Sequence, residues 1–379
     1  MNFNLTKQQE MVRTIMREFA LKEVEPIAAD VDEREYFPRV TVDKMAECEM
    51  MGIPFPRALG GAGGDTISYV IAVEELSRVC ATTGVILSAH TSLGSHPIYQ
   101  FGTDAQKEKY FVPLAKGEKL GAFGLTEANA GTDSAAQQTV AIKKDGRYVI
   151  DGSKLFITNA GQADTYVIFA MTDKAHGNKG ISAFILPAGT PGFHTGKLEH
   201  KMGIRGSSTA ELIFEGVELP EENLLGKENG GFRIAMQTLD GGRIGIGAQA
   251  LGIAQGALDC AKKYMKERIQ FGRPIASQQG LQWMIADMET RVQAARLMVY
   301  NAAFKKDQKV PFSTDAAMAK LFASETAMFV TTQAVQLYGG YGYTRDYPVE
   351  RMMRDAKITE IYEGTSQVMR MVIAGSALR

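Results

Sequence analysis

Cysteine is scarce in this chain: Cys48, Cys80 and Cys260 are the only three in 379 residues, far apart and odd in number. That excludes a disulfide framework and suits reduced thiols in a cytoplasm, serving as small buried hydrophobes. An excess of one charge is missing too. Forty-two basic residues against forty-three acidic ones give no support to nucleic-acid binding or a polyanionic surface. No apolar run approaches the length of a membrane span, and the opening MNFNLTKQQEMVRTI has no basic-then-apolar leader pattern. A soluble intracellular protein is expected. The five histidines (His90, His96, His176, His194, His200) show no metal spacing, and C-x-x-C and H-E-x-x-H are absent, so no metal is expected. No serine sits in G-x-S-x-G, which argues against a hydrolase elbow. The glycine-rich LGGAGGD of residues 59–65 lacks the Lys-Ser/Thr of a Walker loop and reads as a flexible surface connection. Gly245-Ile-Gly247-Ala-Gln-Ala250 fits a loose G-x-G-x-x-A, but no strand precedes it, and a classical NAD fold is rejected.

What remains divides into three blocks. Residues 1–119 read as helical: Thr6 and Gln9 form a capping box ahead of Met11, Ile15 and Phe19, and Tyr69, Val73, Leu76 and Cys80 make a second apolar stripe. Residues 120–228 read as β. TVAIKKDGRYVI is a hairpin around Asp145-Gly146, TYVIFAMT, GISAFILP and TAELIFEGVELP are further strands, and no alternating helices suggest a parallel sheet. Residues 229–379 are helical again, with Leu281, Ile285, Met288, Val292, Ala295 and Val299 forming the narrow stripe of a helix in a bundle, and Asp287 placed to pair with Arg291. The fold class is multi-domain α+β, in the order helical, β, helical.

The stretch from Gln336 to Gln367 concentrates the unusual residues. It holds a Gly-Gly-Tyr-Gly turn, a short charged helix, and Glu363 between Tyr362 and Gly364. Two readings stand side by side. A carboxylate wedged among Ile361, Tyr362 and Gly364 would be poorly solvated if buried and could act as a base. The same residues also describe a turn, a solvated acid and Thr365 capping the last helix. Three other segments are dense in glycine and small hydroxyl residues: GAFGLTEANAGTD (121–133), SKLFITNAG (153–161), and TLDGGRIGIGAQALG (238–252) continuing to KERIQFGRP (266–274).

Together these segments strongly resemble the acyl-CoA dehydrogenases, flavoproteins with an N-terminal helical domain, a middle β-domain and a C-terminal four-helix-bundle-like domain. The resemblance covers essentially the whole chain. It rests above all on G-L-T-E-x-x-A-G-T-D with I-Y-E-G-T, and is closest to the bacterial short-chain, butyryl-CoA branch. It implies FAD as cofactor. Phe123, Leu125, Thr126, Gly131 and Thr132 would wrap the flavin, with Thr132 also bordering the pantetheine. Phe156, Ile157 and Thr158 would lie on the other side of the isoalloxazine. Arg268, Phe271 and Gln279, completed by Gln336, Gly339 and Gly340, would hold the diphosphate and adenosine end of a neighbouring subunit's FAD, the arginine fork suiting a diphosphate. Thr365 and Gln367 would contact FAD on the chain's own side. A cofactor shared between chains implies a homo-oligomer, in this family usually a tetramer.

The resemblance makes Glu363 the catalytic base. It would take the α-proton while the β-hydride passes to flavin N5, with its backbone N–H and an FAD ribityl hydroxyl on the thioester oxygen. Leu239, Asp240 and Arg243 would line the substrate channel beside Tyr362 and Gly364, and Arg243 would help hold the glutamate. Where some relatives carry the base, this chain has Gly242. Glu360 is the local rival. Ala128 stands where most relatives have proline, loosening a loop, and Phe156 where tryptophan is common. Ile246 and segment 88–95 are expected at the far end of a short acyl pocket. No arginine in 79–95 meets a second carboxylate, against glutaryl-CoA. An electron-transferring flavoprotein is the expected partner, and an acyl-CoA oxidase or a non-enzymatic assembly or binding protein are the rival readings.

Overall fold

The computed structural model describes residues 4–379; residues 1–3, part of the N-terminal stretch read above, lie outside them. The first block folds as α1 (Lys7–Phe19), α2 (Ala28–Arg34), α3 (Arg39–Glu47), α4 (Thr66–Val79), α5 (Ala81–Ser88), α6 (His96–Phe101), α7 (Asp104–Gln106) and α8 (Val112–Ala115). The Thr6–Gln9 capping box opens α1, both of its reciprocal bonds made. The face α1 buries is Gln9, Met16 and Phe19, whereas Met11 and Ile15 are exposed. Gln9 turns inward because its amide donates to Asp65 at 2.7 Å, the residue that caps α4. The 59–65 loop is not a flexible connection. Its amides at Ala62, Gly63 and Gly64 donate to Gly52, Phe55 and Ile53 at 2.8–3.0 Å, pinning it to the turn before it.

The middle block is one eight-stranded sheet of β1 (Gly121–Gly124), β2 (Val140–Lys144), β3 (Arg147–Thr158), β4 (Thr165–Met171), β5 (Ile181–Pro187), β6 (Phe193–Leu198), β7 (Thr209–Pro220) and β8 (Leu224–Leu225). The β2–β3 hairpin turns at Asp145 and Gly146, both at positive φ as a type I′ turn requires. The sheet is not purely antiparallel, because β4 pairs in parallel with β1 and with the end of β2. That pairing joins strands distant in sequence and leaves no local pattern. Register shifts in β3, between Ile150 and Gly152 and between Lys154 and Ile157, leave Leu155 and Phe156 out of the ladder with β7, which resumes at Ile157.

The last block is α9 (Gly231–Glu267), α10 (Gln279–Asp307), α11 (Ser313–Tyr338), α12 (Val349–Ile358) and α13 (Ser366–Ala377), with a two-stranded hairpin, Ile269–Gln270 and Arg273–Pro274, after α9. Met288, Val292, Ala295 and Val299 of α10 are fully buried, as their spacing predicts. Arg291 does not serve Asp287: its guanidinium lies 4.3 Å from the Phe329 ring centroid. The blocks share buried surface. Arg296 and Tyr300 of α10 hold Glu74 of α4 at 2.8 and 2.6 Å, and the Ile204 amide of the β block donates to Asp355 of α12 at 2.5 Å. Among the described residues no helix is long and apolar enough to cross a membrane.

Helix α9 carries more glycine than helix propensity favours, and packing explains it. A Cβ on Gly252 would overlap the Glu74 carbonyl, and one on Gly256 the Arg78 carbonyl, so α9 and α4 touch backbone to backbone. Replacing glycine by alanine in a helix interior ordinarily stabilises by about 1 kcal/mol. Here Gly256→Ala is expected to lower the melting temperature by several degrees in a thermal unfolding scan, whereas Gly375→Ala, with open space around its Cβ, should not.

Candidate active site

After α12 the chain makes a turn before α13, which Thr365 caps by accepting the Val368 amide at 3.2 Å. Glu363 and Gly364 adopt φ of 52° and 103°. Glycine tolerates this region, but a glutamate there is strained by about 1–2 kcal/mol, so the surroundings must impose it. Three contacts do. Lys320 Nζ donates to the Gly364 carbonyl at 2.6 Å, the Ser366 amide closes on the Glu360 carbonyl at 2.9 Å, and the Tyr362 hydroxyl donates to Gln249 on α9.

The turn delivers the Glu363 carboxylate against α9. A Cβ on Gly242 would overlap Glu363 Oε2 and stand 2.9 Å from Leu93, so the missing side chain at 242 is the space the carboxylate fills. Glu363 as a whole is half-buried, but its Oε2 is sealed from solvent with no hydrogen-bond partner. Burial pushes the Glu363 carboxyl up to about 7, with Lys320 and then Arg243 pulling it back. Arg243 does not bond the glutamate; its guanidinium pairs with Asp240 at 2.7 Å. Glu360 pairs with Lys357 at 2.6 Å and also lies within electrostatic range of Lys320. The Glu363 N–H meets no acceptor among the described residues. Segment 88–95 continues α5 as a fully buried π-helical stretch and brings Leu93 to the carboxylate. Ile246 is buried one turn beyond Gly242, and Leu239 is half-buried against the adjoining core.

Segments 121–133 and 153–161 meet each other. The Leu155 amide donates to Thr126 O at 2.8 Å, Asn159 Nδ2 to Gly121 O at 3.2 Å, and the wholly buried Lys154 reaches Leu125 O, Glu127 and Gln137 at 3.2, 2.7 and 2.9 Å. Glu127 also accepts the Gln138 and Thr139 amides, and paired backbone bonds close the turn from Glu127 to Ala130. The loop at Ala128 is therefore tied rather than loosened. Leu125 and Ile157 point into the core. Phe123 is half-buried on Phe169, Thr126 and Thr158 are half-exposed, and Gly131 and Thr132 are open. Phe156, at the second register shift of β3, has φ of 59° and is 59 % exposed.

The remaining predicted residues lie elsewhere. Arg268 sits 5.5 Å from the Tyr341 ring centroid, which joins the hairpin after α9 to the Gly339–Gly340 turn. Phe271 has φ of 53° and is 92 % exposed, and Gln279, Gln336, Gly339 and Gly340 are all exposed. Lys320 and Gln336 are both on α11, roughly 24 Å apart along its axis. The structure thus makes two groups. Thr365 and the exposed Gln367 belong with Glu363; the arginine–glycine group stands at the other end of α11. Sequence reasoning missed Lys320, Gln249, Lys154 and Asn159. Lys320 alone left a trace: a single charge on a helix face otherwise made of Ala316, Ala323 and Ala327. A separate cavity of about 660 Å³ near Arg17, Arg78 and Tyr347 contains none of the predicted site residues. Among the described residues no cluster of His, Cys, Asp and Glu could hold a metal. Cys48 is exposed, against expectation, while Cys80 is buried.

Comparison with known proteins gives this architecture its class. Models of the acyl-CoA dehydrogenase N-terminal, middle and C-terminal domains match residues 6–118, 122–217 and 229–378. The short-chain specific acyl-CoA dehydrogenase of Clostridium acetobutylicum is 64 % identical over all of both chains. The structure of butyryl-CoA dehydrogenase from Megasphaera elsdenii superimposes with a TM-score of 0.99 at 53 % identity, covering 100 % of each chain. A chain solved in work on the electron transferring flavoprotein of Acidaminococcus fermentans and flavin-based electron bifurcation superimposes equally well, at 59 % identity and full coverage of both. The chain belongs to the acyl-CoA dehydrogenase family. It is an FAD-dependent enzyme of the short-chain type. The residues present fit that cofactor: open glycines at 131, 339 and 340 and exposed aromatic rings at 156 and 271 suit a large flat ligand with a diphosphate.

Two outcomes follow from the carboxylate's position. Gly242→Ala should displace it and lower turnover at least tenfold, with flavin absorbance retained, as steady-state assay and visible spectrum will read. A carboxyl raised from 4.5 to about 7 is ionised in the unfolded chain before it ionises in the folded one. Stability is therefore lost as pH rises through that interval, by about 3 kcal/mol once above it. Glu363→Gln should melt a few degrees higher than the parent at pH 8 and show no such gain at pH 4.5.

Proposed function

We propose that the protein dehydrogenates short-chain acyl-CoA thioesters such as butyryl-CoA to the trans-2-enoyl-CoA, or runs the reverse reduction, with Glu363 moving the α-proton. The observation that carries this reading is the unpartnered, solvent-sealed Oε2 atom beside Gly242, on a carboxylate raised to about 7. Such a group is basic enough to take a weakly acidic α-proton and has a free lone pair to take it with. The unpartnered Glu363 N–H is placed to donate to the thioester oxygen and stabilise the enolate that develops. Gly364 permits the positive-φ turn that presents this N–H, while Leu93 and the buried 88–95 stretch pack beside the carboxylate and bound the acyl chain. Asp240 and Arg243, paired to each other, and Leu239 border the channel. FAD, when bound, accepts the β-hydride.

The same reading assigns Phe123 to Thr132 and Phe156 to Thr158 to the flavin of the chain's own site, and Arg268, Phe271, Gln279 and Gln336–Gly340 to that of a neighbouring copy in a homotetramer. The exposure of Phe271, Tyr343 and Trp283 supports a second chain there. Electrons are exchanged with an electron-transferring flavoprotein, supported by the full-length likeness to a chain from work on such a protein. The domains divide at 119/120 and 228/229.

Anaerobic titration of the yellow protein with acyl-CoAs from C4 to C8 tests substrate and reaction together: bleaching is expected to be fullest at C4. Glu363→Gln should keep its FAD and acyl-CoA binding and lose bleaching by a factor of a thousand or more. The parent's bleaching rate should climb with pH through about 7, because only the ionised carboxylate accepts a proton. Normal bleaching by the glutamine variant would assign the proton transfer to another group.

A further inference from the structure

Lys320 is wholly buried in α11, with Ala316, Ala319 and Ala323 beside it on the same helix, and burying an ammonium costs several kcal/mol unless it is bonded. Among the described residues its one hydrogen bond goes to the carbonyl of Gly364, the residue immediately after Glu363. A structural lysine would be expected to neutralise a carboxylate directly. This one lies within electrostatic range of the Glu363 carboxylate, yet Glu363 Oε2 is left without a partner.

We propose that Lys320 is a positioning residue for proton abstraction: its ammonium locks the left-handed Glu363–Gly364 turn through the Gly364 carbonyl and supplies a nearby positive charge that keeps the carboxylate ionisable without occupying its free oxygen. This rests on Glu363 being the base. The charged and titratable groups facing the carboxylate are Lys320 from α11, Arg243 from α9, Tyr69 from α4 and Tyr362 from its own turn. Arg243 is already paired with Asp240, whereas the Lys320 charge has only a neutral carbonyl as hydrogen-bond partner. Lys320 is also the larger of the two pulls that lower the Glu363 carboxyl against its burial. A direct ion pair would have lowered it further and blocked the lone pair that must take the proton.

The sign follows. Removing the positive charge favours the protonated, inactive carboxyl, so the acid limb of the rate profile moves to higher pH. Stopped-flow bleaching by butyryl-CoA, measured across pH on FAD-loaded protein, reads it. Burial lowers the Lys320 ammonium to about 8, so its charge is present across a limb near 7. Lys320→Met should move that limb up by about one unit, a roughly fivefold loss at pH 7 from ionisation alone, and also lower the plateau at high pH because the turn is released. Lys320→Gln keeps a donor for the Gly364 carbonyl but no charge; it should move the limb as far and lose less of the plateau. It also serves if the methionine variant fails to hold FAD. A merely structural lysine would scale the rate at every pH and leave the limb in place, and an unmoved limb in either FAD-loaded variant overturns the proposal. Glu363→Gln measured alongside separates the two ideas. If it is silent while the lysine variants keep the parent's limb, the base stands and Lys320 does not; if it bleaches normally, the reading beneath the proposal has failed.

Discussion

A carboxylate proposed to take a weakly acidic proton must be poorly solvated, and a poorly solvated carboxylate resists being charged. The surroundings of Glu363 answer to that conflict. Burial raises its carboxyl and two cations held at a remove lower it, the balance lying at about 7. Neither cation bonds it: Lys320 is spent on a backbone carbonyl and Arg243 on Asp240. The free Oε2 is thus a consequence of where the cations are tied. Strain is part of the same solution, since a glutamate at positive φ stays there only while Lys320, Gln249 and the Glu360 carbonyl hold the turn around it.

Close approach is the second requirement, and α9 meets it by omission. Gly242 makes room for the carboxylate, and Gly252 and Gly256 let α4 and α9 touch along their backbones. Helix propensity is sacrificed at each position, which a helix of 37 residues packed on three sides can sustain. α4 carries Tyr69 and runs into α5 and the π-helical 88–95 stretch, so the depth at which α4 seats on α9 also sets how near Leu93 comes to the carboxylate. Packing far from the chemistry is in this way coupled to the size of the space beside it.

Local chemistry was legible in the sequence and remote chemistry was not. The Thr6–Gln9 box, the Asp145-Gly146 turn and the buried stripe from Met288 to Val299 each depend on a few consecutive residues, and each formed as read. The parallel pairing of β1 with β4, the inward turn of Gln9 toward Asp65 and the Lys320–Gly364 bond join residues 44 or more positions apart, and no spacing rule reports them. Arg291 shows how a local rule is overridden: its guanidinium lies over an aromatic ring on α11 instead of pairing with Asp287. At the site, the motifs of the family marked which residues to consider, but Glu363 taken alone read more readily as part of a capped turn with a solvated acid. Both descriptions contain part of the outcome: Thr365 does cap α13, and one oxygen of the acid is sealed from solvent.

Helix α11 ties these strands together. One end carries Lys320 beneath the Glu363 turn, and the other ends at Gln336 and a glycine turn whose φ of 61° at Gly339 points the chain toward Arg268 and Tyr341. A continuous helix is stiff over that distance, so the two ends cannot close on each other within one chain. Whatever large ligand the exposed Phe271, Gly339 and Gly340 receive is therefore held far from the same chain's carboxylate, while Phe156 and Thr132 stay open on the β block. On the proposed assignment of those two surfaces, the rigidity of α11 would set the register between one copy's Glu363 turn and the cofactor of its neighbour.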